Sequence, residues 1–139
     1  MTAPHVLFVC VKNGGKSQMA AGLLRQLVVR RPDRPVDVSS AGTRAGTALN
    51  AAAVESLREV GVEIGDQATR QLTDDLVRAA DLVVVLGAEA HVDPVDGTPV
   101  EVWETDEPSL RGIEGAERMR LVRDDIATRV GDLHRRLTS

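Results

Sequence analysis

The run Val9-Cys10-Val11-Lys12-Asn13-Gly14-Gly15-Lys16-Ser17-Gln18 carries the only cysteine of the chain, placed where an apolar stretch ends and just before a helical pattern begins. Those residue types at that spacing make a sulfur nucleophile at the floor of an anion cradle. Backbone N–H groups in such a loop and in the first helical turn have no intrahelical partner, and the helix dipole adds partial positive charge. Gly14 and Gly15 are expected to take positive φ and let the backbone approach a ligand, Asn13 tolerates the left-handed region, and Lys12 and Lys16 add cations. The candidate oxyanion set is therefore Val11, Lys12, Asn13, Gly14, Gly15, Lys16 and Ser17. A thiol held in that field is favoured as thiolate, the attacking form. Ser17 is placed to hydrogen-bond the sulfur, and a helix-capping role is compatible with that.

Two other readings of the loop compete. A lone cysteine after an apolar strand is often just a small buried hydrophobe, but the glycines and lysines that follow do not suit that role. Gly15-Lys16-Ser17 also has the ending of a nucleotide-binding loop, G-x-x-x-x-G-K-[ST], yet Cys10 stands where its first glycine belongs.

The elements that must position this loop follow from periodicity. His5 to Val9 reads as a buried strand, and Met19, Leu23 and Leu27 with Ala20, Leu24 and Val28 recur at helical spacing. Val36 to Ser40 reads as a second strand, Leu49 to Val60 as a helix ended by Gly61, and Thr73 as the cap of a short helix over Asp74 to Ala80. Leu82 to Leu86 is an unbroken apolar run suited to a central parallel strand, Val100 to Trp103 a fourth strand, and Ile113 to Leu137 a long final helix. Strands alternating with helices give an α/β fold with a parallel sheet covered on both faces, whose ligands bind beyond the carboxyl ends of the strands. With 139 residues, 42% of them hydrophobic, one domain over 1–139 is expected. A net charge of −4 without a basic stripe argues against nucleic acid, and no apolar run is long enough for a membrane span. His5, His91 and His134 lack metal-ligand spacing, so no metal is expected.

Val6-Leu7-Phe8-Val9-Cys10, then Asn13, then Lys16-Ser17-Gln18-Met19-Ala20-Ala21 resemble the active-site loop of the low-molecular-weight protein tyrosine phosphatase superfamily and, within it, the arsenate reductases. Ser40-Ala41-Gly42-Thr43, Arg70-Gln71-Leu72 and an acidic residue before Pro108 keep the same order, so the resemblance covers nearly the whole chain. It implies a phosphotyrosine protein phosphatase I-like fold with sheet order two-one-three-four. The phosphatases and many reductases carry arginine where this chain has Lys16, which keeps the charge and loses the planar fork. Single-cysteine, mycothiol-dependent arsenate reductases, with their Asn-Gly-Gly-Lys-Ser-Gln run, resemble this sequence more closely. Some thioredoxin-linked members hold potassium through a carboxylate on the first helix; Ala20-Ala21 stands there in this chain, and the site is not carried over.

Arsenate reduction takes two electrons, and one cysteine cannot form an intramolecular disulfide, so a second thiol must come from outside. The resemblance implies mycothiol as co-substrate with mycoredoxin, or glutathione with glutaredoxin, and no tightly bound cofactor. A single cysteine without a signal peptide fits a cytoplasmic location. With no tyrosine in the chain, and Phe8 on a buried strand, aromatic walls for an aryl phosphate are missing. The catalytic set is Cys10 as nucleophile, Lys16 and Ser17 as stabilisers, and a general acid in Trp103-Glu104-Thr105-Asp106-Glu107-Pro108. The family's acid directly precedes the proline, which favours Glu107 over Asp106. Asp93-Pro94 has the same form and reads equally as a turn. Arg44 and Arg70 are candidates to line the entrance and receive a thiol cofactor. The expected activity is arsenate–thiol transfer, with a tyrosine phosphatase and a non-enzymatic oxyanion-binding or redox-sensing module as rivals.

Overall fold

The structure, a computed structural model, describes residues 2–139. Four parallel strands form one sheet in the order β2-β1-β3-β4, with β1 at His5–Cys10, β2 at Asp37–Gly42, β3 at Leu82–Leu86 and β4 at Val100–Trp103. The register is set by runs that must be dry on both sides: Val6 to Val9 pair with Leu82 to Val85, and these strands form the centre.

Alternation along β1 divides the core. Val6 and Phe8 face α1 (Lys16–Arg30), α2 (Ala51–Arg58) and α4 (Gly115–Thr138), packing with Met19, Leu57, Ile126 and Val130. Leu7 and Val9 face the other way, with Val83 and Val85, onto Val77 and Ala80 around α3 (Asp74–Ala79). Phe8 and Trp103 meet on the first face with ring centroids 5.9 Å apart, so the chain's one phenylalanine and one tryptophan are both consumed by the core.

Local signals explain most boundaries. Asn50 caps α2 by accepting from the Ala53 N–H, and Thr73 caps α3 by accepting from the Leu76 N–H. Gly61 at φ +80° lets the chain turn back so that the Val62 N–H reaches the Leu57 carbonyl. Three expectations shift. The strand expected over Val36 to Ser40 runs on to Gly42, because its partner β1 continues to Cys10. The helix expected over Leu49 to Val60 is shorter at both ends. The last helix starts at Gly115, and ahead of it Pro108–Arg111 forms a 3-10 turn that periodicity does not reveal. Among the described residues no helix is long and apolar enough to cross a membrane.

Candidate functional site

The loop after β1 is held by its carbonyls. Those of Cys10, Val11, Lys12 and Gly14 accept from the N–H groups of Thr43, Arg44, Gly46 and Asn50, so the segment following β2 draws the oxygens outward. The N–H groups of Val11 to Gln18 donate to no acceptor among the described residues. A ring of unused donors above the end of a strand is an oxyanion site.

Close approach sets the glycines. A Cβ on Gly42 would lie 2.5 Å from the Val11 carbonyl oxygen, and one on Gly14 would lie 2.8 Å from that of Ala48. The expectation of positive φ at Gly14 and Gly15 is corrected: the left-handed residue is Asn13, at φ 57°, and Gly15 sits at φ −127°. Asn13 bears that conformation because its buried side chain is bonded at both ends. Its Oδ1 accepts from the Arg70 N–H at 2.9 Å and from Gln18 Nε2 at 3.2 Å, which turns Nδ2 onto Ser17 Oγ at 2.8 Å.

That chain decides the serine's proton. Ser17 Oγ accepts from Asn13, and its own hydrogen is free to point at Cys10 Sγ, 2.9 Å away. Ser17 is not the helix cap: Gly15, which has no side chain to bond, holds that position, and Ser17 lies within the first turn of α1 with its hydroxyl on the sulfur. Half-buried Lys16 has its ammonium 4.0 Å from where a Gly87 Cβ would stand at the end of β3, and the Glu89 carboxylate is 3.1 Å from the same point. Lys12 is exposed. Glu89 escaped the sequence reading, since only the position of Gly87 in space reveals it.

The two candidate acids are both clamped. Arg118 on α4 grips Glu107 with Nε at 2.8 Å and Nη2 at 3.0 Å, and Ser109 Oγ donates to the same carboxylate at 2.5 Å. The guanidinium and then the hydroxyl hold the Glu107 carboxyl down at about 2. Arg111 forks onto Asp106 at 2.8 and 3.1 Å and lowers that carboxyl too. In this pairing both are carboxylates, the form that cannot donate a proton. Arg118 also lines a cleft of about 150 Å³ beside the loop, with Gly15, Lys16 and Asn50.

The remaining candidates fall elsewhere. Asp93 pairs with His91 on an exposed loop. Arg44 is exposed, with its backbone on the loop. Arg70 turns away from the entrance, its Nε on the Ser40 carbonyl at the outer edge of β2. Among the described residues no group of three or more histidine, cysteine, aspartate or glutamate side chains could hold a metal.

The description of the low-molecular-weight phosphotyrosine protein phosphatase family matches residues 5–139. The chain belongs to that family. Its relatives include an arsenate reductase of Shouchella clausii, 34% identical over 137 residues covering 94% of each chain. An arsenate reductase of Bacillus subtilis (strain 168) is 34% identical over 134 residues, covering 90% of this chain and 91% of the other. Among solved structures, a thioredoxin-dependent arsenate reductase of Corynebacterium glutamicum superposes with a TM-score of 0.78 at 31% identity. This chain is covered to 97% in that match and spans 62% of the longer Corynebacterium chain. Family membership agrees with the four-stranded parallel sheet and with the cysteine loop at its carboxyl edge.

Proposed function

We propose that this protein is an arsenate reductase working as an arsenate–thiol transferase. The observation that carries the reading is the unused N–H ring above Cys10, with the Ser17 hydroxyl turned onto the sulfur and no second cysteine in the chain. The ring and Lys16 stabilise the oxyanion, and Ser17 stabilises the thiolate. The Cys10 sulfur attacks arsenic, an S–As bond forms, and one As–O bond breaks with the oxygen leaving as water; arsenic stays pentavalent. An external thiol then attacks arsenic, releasing the Cys10 thiolate. A second thiol attacks the sulfur of that adduct, a disulfide forms, and the S–As electron pair stays on arsenic as arsenite.

Protonation of the leaving oxygen falls to Glu107, with Asp106 as the alternative. Glu107 can serve only when Arg118 lets go, and an oxyanion beside Lys16 offers that arginine a competing bidentate partner. The external thiol is mycothiol, with mycoredoxin regenerating it, and the site of action is the cytoplasm. The buried Phe8 and Trp103 leave no aromatic wall for an aryl phosphate, which favours a small inorganic oxyanion over phosphotyrosine.

The test is arsenate-dependent NADPH consumption in a mixture of mycothiol, mycoredoxin and mycothiol reductase. Turnover that vanishes without mycothiol and in Cys10→Ser is expected. Turnover with glutathione and glutaredoxin alone would replace the thiol. Hydrolysis of an aryl phosphate without arsenate turnover would move the protein to the phosphatases, and oxyanion binding without any product would make it a sensor or binding module.

A further inference from the structure

A groove of about 410 Å³ lies along the outer edge of β2 and is lined by Arg25, Val38, Ser40, Gln67, Thr69 and Arg70. β2 is an edge strand, and alternate carbonyls of a strand point the same way, about 6.6 Å apart. Val38 and Ser40 are such a pair. Arg25, from α1, donates Nη2 to the Val38 carbonyl, and Arg70 donates Nε to the Ser40 carbonyl, both at 3.3 Å. The edge therefore holds two guanidiniums side by side at roughly one two-residue step.

Their charges are not balanced locally. Among the described residues neither arginine lies within 4 Å of a carboxylate, whereas all six arginines of α4 do. The Arg25 guanidinium is pushed below its ordinary range by burial and next by the charge of Arg70; Asp66 opposes this more weakly. Two cations held side by side by their own backbone contacts, that of Arg25 partly buried and that of Arg70 exposed, form a receptor for a doubly charged anion, and forked donors suit tetrahedral oxygens.

We propose that this groove is a second anion site, distinct from the Cys10 loop, that binds a phosphoryl dianion between Arg25 and Arg70. The ligand is either inorganic phosphate or the monoester of a small polar molecule, since the volume exceeds what a single tetrahedral ion fills and falls within the range of small-molecule pockets. The site also touches the loop from beneath. The Arg70 N–H donates to Asn13 Oδ1, and the Ala68 carbonyl accepts from Gln18 Nε2, so an anion that fixes Ala68 to Arg70 would steady the residue orienting Ser17.

The experiment follows the Nε–H signals of Arg25 and Arg70 and the amides of Gly14 and Gly15 by ¹H–¹⁵N NMR during titration with inorganic phosphate and, separately, with glucose 6-phosphate. Saturable shifts of both arginine signals, on a curve different from that of the glycine amides, are expected. Arg25→Gln and Arg70→Gln should each weaken that curve at least tenfold. Arg25→Lys, which keeps a cation on α1, should weaken it less and serves as the test if the glutamine variant does not fold. Tighter binding of the ester identifies a metabolite as occupant, and equal binding identifies the free ion. Arginine signals that do not saturate, or that follow the glycine curve and ignore Arg25→Gln, overturn the proposal. Such a result leaves the arsenate reading untouched, because Cys10 takes no part in it.

Discussion

The loops that follow β1 and β4 leave the same edge of the sheet and are built in opposite ways. Around Cys10 the polar groups are neutral N–H donors, fixed by carbonyl contacts to the segment after β2 and without an acceptor of their own. Around Glu107 the polar groups are full charges, and each carboxylate is already matched by an arginine fork. The first loop is organised before a ligand arrives and needs no rearrangement to receive an oxyanion. The second must exchange a partner before it can move a proton. Rigidity and readiness lie on one side of the cleft, and a reversible lock lies on the other.

The largest expected effect tests the ready side. Cys10→Ser should abolish arsenate transfer, with a loss of at least about a thousandfold in a single-turnover assay. Ser17→Ala should lower the same step by about ten- to a hundredfold and, because it leaves the buried Asn13 Nδ2 without its acceptor, should also cost about 1–3 kcal/mol in urea unfolding. The glycines separate preorganisation from mere presence of the sequence motif. Gly42→Ala and Gly14→Ala drive a carbon into the Val11 and Ala48 carbonyls and should each cost about 1–3 kcal/mol in urea unfolding. Gly15→Ala meets nothing closer than 4.0 Å and should stay within about 0.5 kcal/mol.

The locked side is sharpened by Arg118→Gln. Without the guanidinium, the Glu107 carboxyl should rise from about 2 toward its ordinary 4.5, read by carboxyl NMR titration; a carboxyl that stays near 2 would assign the depression to Ser109 instead. The smallest effect is on stability. Glu107 and Glu59 are both lowered to about 2, the latter by Arg120 and then Arg123 across α2 and α4. A depressed folded-state value contributes stability above the unfolded value, here 4.5, and loses it as the pH falls through 2. Acid unfolding followed by circular dichroism should therefore steepen between 4.5 and 2, and Glu107→Gln should shrink that loss.

The same contrast explains what could be read from the chain. The Cys10 loop is local: nucleophile, glycines, Asn13 and Ser17 lie within eight residues, and strand-then-helix patterning fixes where their N–H groups point. The central strands were equally legible, as the apolar run Leu82 to Leu86 coincides with β3. Glu107 could be located by Pro108, but its protonation state depends on Arg118, eleven residues on and a helix away, and no spacing rule reports that. The direction of Arg70 was hidden for the same reason. Beside Arg70-Gln71-Leu72 nothing in the sequence says that the side chain joins Arg25 at the edge of β2, since the partner comes from α1. Asn13 shows a mixed case: its left-handed backbone was foreseeable, while its role as the pivot between Arg70, Gln18 and Ser17 required the tertiary contacts.

The burial of Trp103 against Phe8 has a practical side. The chain has no tyrosine and no other tryptophan, so its intrinsic fluorescence comes from one indole seated at the end of β4, whose carbonyl accepts from the Gly87 N–H at 3.0 Å. Trp103 directly precedes the loop that carries Glu107, and its carbonyl anchors Gly87, beside which the Lys16 ammonium lies. Any substrate that loosens the Glu107 fork should register there as a change in emission, giving the protein a built-in optical gauge of the step that chemistry alone would leave dark.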